Sequence, residues 1–313
     1  MNNNGFLTRA ISGVVLLAII LLAGIIGGNI LFFLTVFVSF VGLMELYKAL
    51  GIYSKNTEKQ NNNMLAYTGF IMTAVYFLVM AVGGILPPSM ANAISFNFDN
   101  LFDTLMTVEL ISTLTLIGRI TWMLGYVVLS LVVLMGVYVF TFPKFDTKKV
   151  AYTLLGLIYV PVFMSFMYMT RTLTGGQMMI WLIFISSWIC DTCAYLVGCS
   201  IGKHKLAPVL SPKKSIEGAV GGILGSIIVA FVYGYFVQYK LMGGVNNSVM
   251  YMIICGLGAV VSQIGDLAAS AIKRNHDIKD YGTLIPGHGG IMDRFDSVIF
   301  VSPFIFILCI IIF

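Results

Sequence analysis

Nine apolar runs, each close to twenty residues, follow one another along the 313-residue chain: 6–26, 29–50, 64–86, 117–141, 150–170, 177–199, 215–238, 248–272 and 294–313. A helix needs about 20 mostly apolar residues to cross a hydrocarbon core of about 30 Å, so each run has the length of a membrane span. The composition agrees, at 59% hydrophobic and only 10% charged. The expected fold is all-α, a polytopic integral membrane protein with about nine transmembrane helices. The run 6–26 has the length of a secretory leader, but it carries only Arg9 near its start. Gly27 and Gly28 lead straight into the next run without a convincing cleavage site, so the segment reads as a helix.

A net charge of +5 would suggest nucleic acid in a soluble protein, but here the placement of Lys and Arg matters more than the total. In a nine-span arrangement Arg9, Lys48, Lys55, Lys59, Lys144, Lys148, Lys149, Lys203, Lys205, Lys213, Lys214, Lys273, Arg274, Lys279 and Arg294 fall on one side, fifteen of the 18 basic residues. Arg119, Arg171 and Lys240 fall on the other, whose longest loop, 87–114, contains Asp99, Asp103 and Glu109 and no basic residue. That asymmetry places the N-terminus and the basic loops in the cytoplasm and the C-terminus outside. The expected location is the cell membrane, with no nucleic-acid partner.

Function is unevenly distributed along the chain. Residues 1–175 read as anchoring helices and a scaffold, and 176–313 as a catalytic region facing the cytoplasm. Glu45 is the exception in the first half, and with Lys48 close by it reads as a side chain that snorkels or pairs at a helix end. All five cysteines lie in or at the ends of apolar runs, so no disulfide framework is implied. Cys190 and Cys193 form a CxxC, but a metal site wants a second pair, and none exists at a plausible spacing, so helix packing is the expected role.

The stretch Ser270 to Asp296 holds ten charged or histidine residues in 27 positions. Ionisable groups are expensive beside lipid, so such a concentration marks a functional site. Upstream, Asp191, Glu217 and Asp266 lie inside or at the rim of later spans. Asp266 precedes Lys273 by seven residues, about 10 Å below its helix end at 1.5 Å per residue. The chain then passes through a turn-rich loop and re-enters at Asp293, Arg294 and Asp296. Asp293 and Asp296 are three apart and share a helix face, and a helical hairpin brings that face toward Asp266. Converging carboxylates would repel unless neutralised. Hard divalent cations resolve this, and Mg²⁺ suits one or two carboxylates with substrate phosphates and water. Lys213, Lys214, Lys273, Arg274, Lys279 and Arg294, interleaved with glycines, suit a polyphosphate.

The stretch resembles the signature of the phosphatidate cytidylyltransferase (CDP-diacylglycerol synthase) family. Ser270, Lys273, Arg274, Lys279, Asp280, Pro286, Gly287, His288, Gly289, Gly290, Asp293, Arg294 and Asp296 carry the likeness. It extends upstream through Gly265, Asp266 and Leu267, through Asp191 to Lys203, and through Leu206 to Gly218. Two positions depart from many relatives: Ala269, where a glutamate is common, and Cys199, where a basic residue is common. They put in doubt a required second carboxylate on the Asp266 helix and the separate roles of Lys203 and Lys214.

The resemblance implies transfer of a cytidylyl group from CTP to phosphatidate, giving CDP-diacylglycerol and pyrophosphate. It implies Mg²⁺ held by Asp266 and Asp293, leaving a second metal ion open, with Asp296, Asp280 and Lys279 also catalytic. Lys214, Ser215, Glu217, Asp191, Lys273, Arg274, His288 and Arg294 would bind substrate. His288 would donate a hydrogen bond or brace the glycine-rich loop. A homodimer is implied too, although Gly218, Gly221, Gly222 and Gly225 would serve equally for packing within one subunit. Rival readings are a CTP-dependent kinase of a polyprenol-type lipid, and an ion-coupled transporter, which would show repeated halves that this chain lacks.

Overall fold

The computed structural model describes residues 3–54, 63–83, 101–241, 247–287 and 289–313. All nine apolar runs are helical there. They are α1 (Asn3–Ile26), α2 (Gly28–Ala49), α3 (Met64–Gly83), α4 (Leu101–Thr141), α5 (Thr147–Thr172), α6 (Gly176–Ile201), α7 (Ile216–Leu241), α8 (Ser248–Asn275) and α9 (Met292–Ile312). Helices α2 to α9 are long and apolar enough to span a bilayer, while α1 contributes a shorter apolar stretch, Ile11–Ile26. The protein is a polytopic, all-α membrane protein.

Three local features depart from a plain reading of the runs. Helix α4 reaches back to Leu101, so the second part of the loop expected at 87–114 is helical, and the first part lies outside the described residues. Helices α5 and α6 each widen into a π turn, at Ile158–Val162 and Ile185–Ile189. The first contains Pro161, which has no N–H to give the preceding turn. Between α6 and α7 lies a short antiparallel hairpin, β1 (Lys205–Ala207) and β2 (Ser211–Ser215), with Lys205 opposite Ser215 and Ala207 opposite Ser211.

The chain forms two compact units, Ile52–Ile158 and the combination of Met1–Gly51 with Tyr159–Phe313. In the first, α3, α4 and the start of α5 pack together around the fully buried Tyr76 and Tyr126, whose rings lie 4.6 Å apart. Asn63 ties the start of α3 to Ser54: its Oδ1 accepts the Ser54 N–H at 2.9 Å and its Nδ2 donates to the Ser54 carbonyl at 2.6 Å. Residues 55–62 lie outside the described residues.

The second unit carries the site. Its closest packing runs α6 on α7, α7 on α8 and α8 on α9. Van der Waals contact drives helix association in lipid, so small residues gather where backbones approach. On α7, a Cβ at Gly218 would meet the Ala194 carbonyl at 2.7 Å, one at Gly221 the Val197 side chain at 2.6 Å, and one at Gly222 the Cys190 carbonyl at 2.8 Å. One at Gly225 would meet Cys193 Sγ at 2.5 Å. This glycine face is therefore filled by α6 of the same chain, and the CxxC cysteines serve as its packing partners. Gly27 and Gly28, with φ of 67° and 51°, break α1 from α2 in a backbone region that other residues resist. The Arg171 guanidinium closes that break, donating from Nε to the Gly24 carbonyl at 3.2 Å.

Because Gly222 faces backbone that has no room to yield, Gly222→Val is expected to destabilise the detergent-solubilised protein by about 1–3 kcal/mol. Thermal melting checks this, and Gly136→Ala, at a position with nothing within 4 Å of a new Cβ, should leave the midpoint unchanged or slightly raised.

Candidate active site

Three helices each bring one carboxylate to a common region: Asp191 on α6, Asp266 on α8 and Asp296 on α9. The helices are drawn together by bare backbone. A Cβ at Gly265 would run into Phe300 of α9, and one at Gly258 would meet Ser186 of α6 at 2.6 Å, so α8 lies tightly against both neighbours just before Asp266. The three carboxylates feel one another's charge. Lys214 of β2 forms an ion pair with Asp266. Ser297 donates from Oγ to Asp191 at 3.4 Å and from its backbone N–H to Asp296 at 2.8 Å, bridging α6 to the start of α9.

Asp191 lines two cavities. The first, about 540 Å³, is walled by Asp191, Gln263 and Asp266 with Lys205, Lys213, Lys214 and Ser215 from the hairpin. The second, about 450 Å³, is walled by Asp191, Asp293, Arg294 and Asp296 together with Trp188 and the apolar Leu16 and Leu17 of α1. The first is thus basic, and the second joins polar groups to an apolar wall. The Trp188 indole N–H lies 3.4 Å from the Arg294 carbonyl.

Asp293 sits in the first turn of α9, but its carboxylate turns to the loop that precedes the helix. It accepts from Lys273 Nζ at 3.0 Å, from the Tyr281 N–H at 2.8 Å and from the Gly290 N–H at 3.0 Å. The carboxylate is 3% exposed and the lysine end 14%, so this is a nearly dry ion pair with two backbone donors. Tyr281 completes the clasp. Its hydroxyl donates to the Ala269 carbonyl at 2.9 Å, and its ring lies 5.3 Å beneath the Lys273 ammonium. Burial pushes the Tyr281 phenol well above its usual pKa, so it remains a neutral donor. Ala269 is fully buried under this clasp.

The hairpin is held just as locally. Ser215 caps α7, its Oγ accepting the Gly218 N–H at 3.2 Å. Glu217 accepts from the Lys203 and His204 N–H groups at 3.0 and 3.2 Å and contacts His204 Nδ1 at 2.6 Å, which folds the end of α6 back onto the start of α7. The structure therefore gathers Asp191, Lys214, Ser215, Asp266, Asp293, Arg294 and Asp296 around the cavities. Glu217 and Lys273 line neither cavity. Arg274 reaches the Leu210 carbonyl at 3.5 Å, while Lys279 and Asp280 stand exposed on the loop outside both linings. His288 lies outside the described residues.

Four contributors were not singled out by the sequence. Gln263 precedes Asp266 by three residues on the same helix face, and donates to the Ala219 carbonyl at 2.9 Å in the floor of the basic cavity. Ser297 and Trp188 are ordinary residues of apolar spans, and Tyr281 is one aromatic among many. Glu45, expected to snorkel or pair at a helix end near Lys48, does not snorkel: it is 3% exposed, accepts the Met292 N–H at 2.9 Å and lies within reach of the Lys48 charge.

Among the described residues no three His, Cys, Asp or Glu side chains converge on one point as metal ligands. Mg²⁺ asks less, taking one or two carboxylates and filling its octahedron with water and substrate phosphate. Asp266, within charge range of Asp191 and Asp296 and matched by a single lysine, fits that requirement. Asp293 already accepts three hydrogen bonds, which leaves about one of a carboxylate's four lone-pair sites for a further partner.

Comparison with known proteins agrees with this geometry. Residues 7–312 match the profile of the Cytidylyltransferase family. The chain is similar to a protein of Staphylococcus haemolyticus named phosphatidate cytidylyltransferase, at 41% identity over 167 residues, which is 53% of this chain and 62% of that one. Proteins of the same name in Staphylococcus epidermidis and Staphylococcus aureus are 40% and 41% identical over 186 and 170 residues. Those alignments cover 59% and 53% of this chain and 68% and 62% of the relatives. The match thus spans under two thirds of the Staphylococcus haemolyticus protein's length. From the profile match across almost all of its residues, the chain belongs to the cytidylyltransferase family.

Proposed function

We propose that the protein transfers the cytidylyl group of CTP to phosphatidate, forming CDP-diacylglycerol and releasing pyrophosphate. The observation that carries this reading is the sharing of Asp191 by two unlike cavities, one lined by Lys205, Lys213 and Lys214, the other bounded by apolar residues of α1. A reaction that joins a triphosphate to a lipid phosphate needs both. CTP would lie among Lys205, Lys213 and Lys214, and the phosphatidate headgroup beside Arg294, with its chains along Leu16 and Leu17. A phosphate oxygen of phosphatidate then attacks the α-phosphorus of CTP in line, the bond to the β-phosphate breaks, and pyrophosphate leaves with its electrons. No bond to the protein is needed.

In such a reaction the protein's contribution is alignment and charge. Lys214 offsets triphosphate charge while keeping Asp266 in place. Ser297 fixes Asp191 and Asp296, and the clasp around Asp293 fixes the start of α9. When bound at Asp266 with Asp191 or Asp296, Mg²⁺ would supply positive charge to the phosphate oxygens. Basic residues crowd one side of the nine-span arrangement, which supports a cytoplasmic site and a cytoplasmic N-terminus. A homodimer belongs to the same reading through the family resemblance alone, since the α7 glycine face is occupied within the chain.

The test uses the purified protein in liposomes with labelled CTP, Mg²⁺ and phosphatidate. A CDP-lipid formed with one pyrophosphate per turnover is the expected result. CDP released with a phosphorylated lipid alcohol would replace this reading with a lipid kinase. Asp266→Asn is expected to lower kcat by about 100-fold or more with the melting midpoint preserved. Lys214→Met removes a charge-assisted contact to phosphate, and should raise KM for CTP by about 10- to 100-fold. Steady-state kinetics on folded variants check both.

A further inference from the structure

Helix α9 begins without a cap of its own. The N–H of Met292, its first residue, has no carbonyl of the helix to reach, and the N-cap residue is Ile291, whose side chain offers no acceptor. The need is met from the other end of the chain. Glu45, near the end of α2, accepts the Met292 N–H at 2.9 Å across 247 positions, with the Ile291 N–H contributing. A carboxylate suits this place, because the N-terminal end of a helix carries partial positive charge.

The fit around Glu45 is tight on both sides of the loop. A Cβ at Gly282, at the start of the loop, would collide with the Glu45 carboxylate, and so would one at Gly290, at its end. One turn earlier on α2, the bare backbone of Gly42 lies against Met292, a Cβ there coming 3.8 Å from its sulfur. Gly42 and Glu45 share a helix face, so α2 holds the first residue of α9 by packing and by hydrogen bonding together. A carboxylate that is 3% exposed is costly unless donors surround it. Glu45 lies outside both cavity linings, so the reaction itself does not explain its burial.

We propose that Glu45 is a positioning residue: its carboxylate caps α9 and clamps both ends of the loop 282–290, and so sets where Asp293, Arg294 and Asp296 stand in the site. Its kinetic consequence rests on the cytidylyl-transfer reading, whereas its structural consequence does not. Since Glu45 acts on α9 and not on the hairpin lysines, its loss should lower kcat without weakening the nucleotide cavity.

The experiment compares wild type, Glu45→Ala and Glu45→Gln as full-length protein in nanodiscs by hydrogen exchange, thermal melting and steady-state kinetics. Glu45→Ala is expected to speed amide exchange across 281–292 by about tenfold or more, the scale of a lost charged hydrogen bond. In the same variant kcat should fall by about tenfold or more while KM for CTP stays within about twofold. Glu45→Gln keeps one carbonyl acceptor for Met292 and should recover a substantial part of both losses. If Glu45→Ala does not fold, Glu45→Gln against Glu45→Leu decides the matter by the same readouts. Unchanged exchange over 281–292 overturns the proposal, and so does a Gln variant no better than Leu. Wild-type protein inactive on CTP and phosphatidate overturns the functional reading, while the exchange data still decide the role of Glu45.

Discussion

A carboxylate that neither lipid nor water can solvate must be met by donors from its own chain, and Asp293 is met by three. Lys273 comes from the end of α8, the Tyr281 N–H from the start of the loop and the Gly290 N–H from its end. One side chain on α9 therefore closes the α8–loop–α9 hairpin. Removing a single partner from a buried ion pair costs about 3–5 kcal/mol, because the other charge is left stranded. That penalty makes the arrangement nearly all-or-none. Asp266 on α8 and Asp296 on α9 reach the two cavities that share Asp191 because this closure sets the two helices side by side.

Around the hairpin the structure repeats one device, polar groups of one helix end satisfied by another segment. Ser215 caps α7, Glu217 gathers the backbone of Lys203 and His204, and Arg171 closes the end of α1. Each joint falls where a helix stops and its unpaired N–H or C=O groups need partners. The helices between the joints pack through glycines and small residues, as the α6–α7 contact illustrates. Rigid helices with fastened ends hold Asp191, Asp266 and Asp296 near one another despite their repulsion.

The helices among the described residues were legible because about 20 apolar residues have one economical structure in lipid. The packing of the Asp266 helix against the Asp296 helix was legible too, since a short polar loop between two spans forces a hairpin. What the spacing concealed was the division of labour on α9. Residues three apart share a face, so Asp293 and Asp296 looked equivalent, yet the first-turn carboxylate is drawn to loop N–H groups that a helical projection does not contain. Glu45 was legible only in part, for a similar reason. Its nearest charge in sequence is Lys48, but its donors lie 247 positions away, and no local pattern encodes them. The β1–β2 hairpin was invisible because Ser-Pro-Lys-Lys-Ser shows no alternation of apolar and polar residues.

The claim on which the account turns is that Lys273 and Asp293 act as one unit. A double-mutant cycle with Lys273→Met, Asp293→Asn and the double variant, read by thermal melting in one detergent, measures it directly. The account predicts strong coupling, with the double variant no less stable than the worse single variant, because each single change strands a buried partner. Losses that simply add would contradict it.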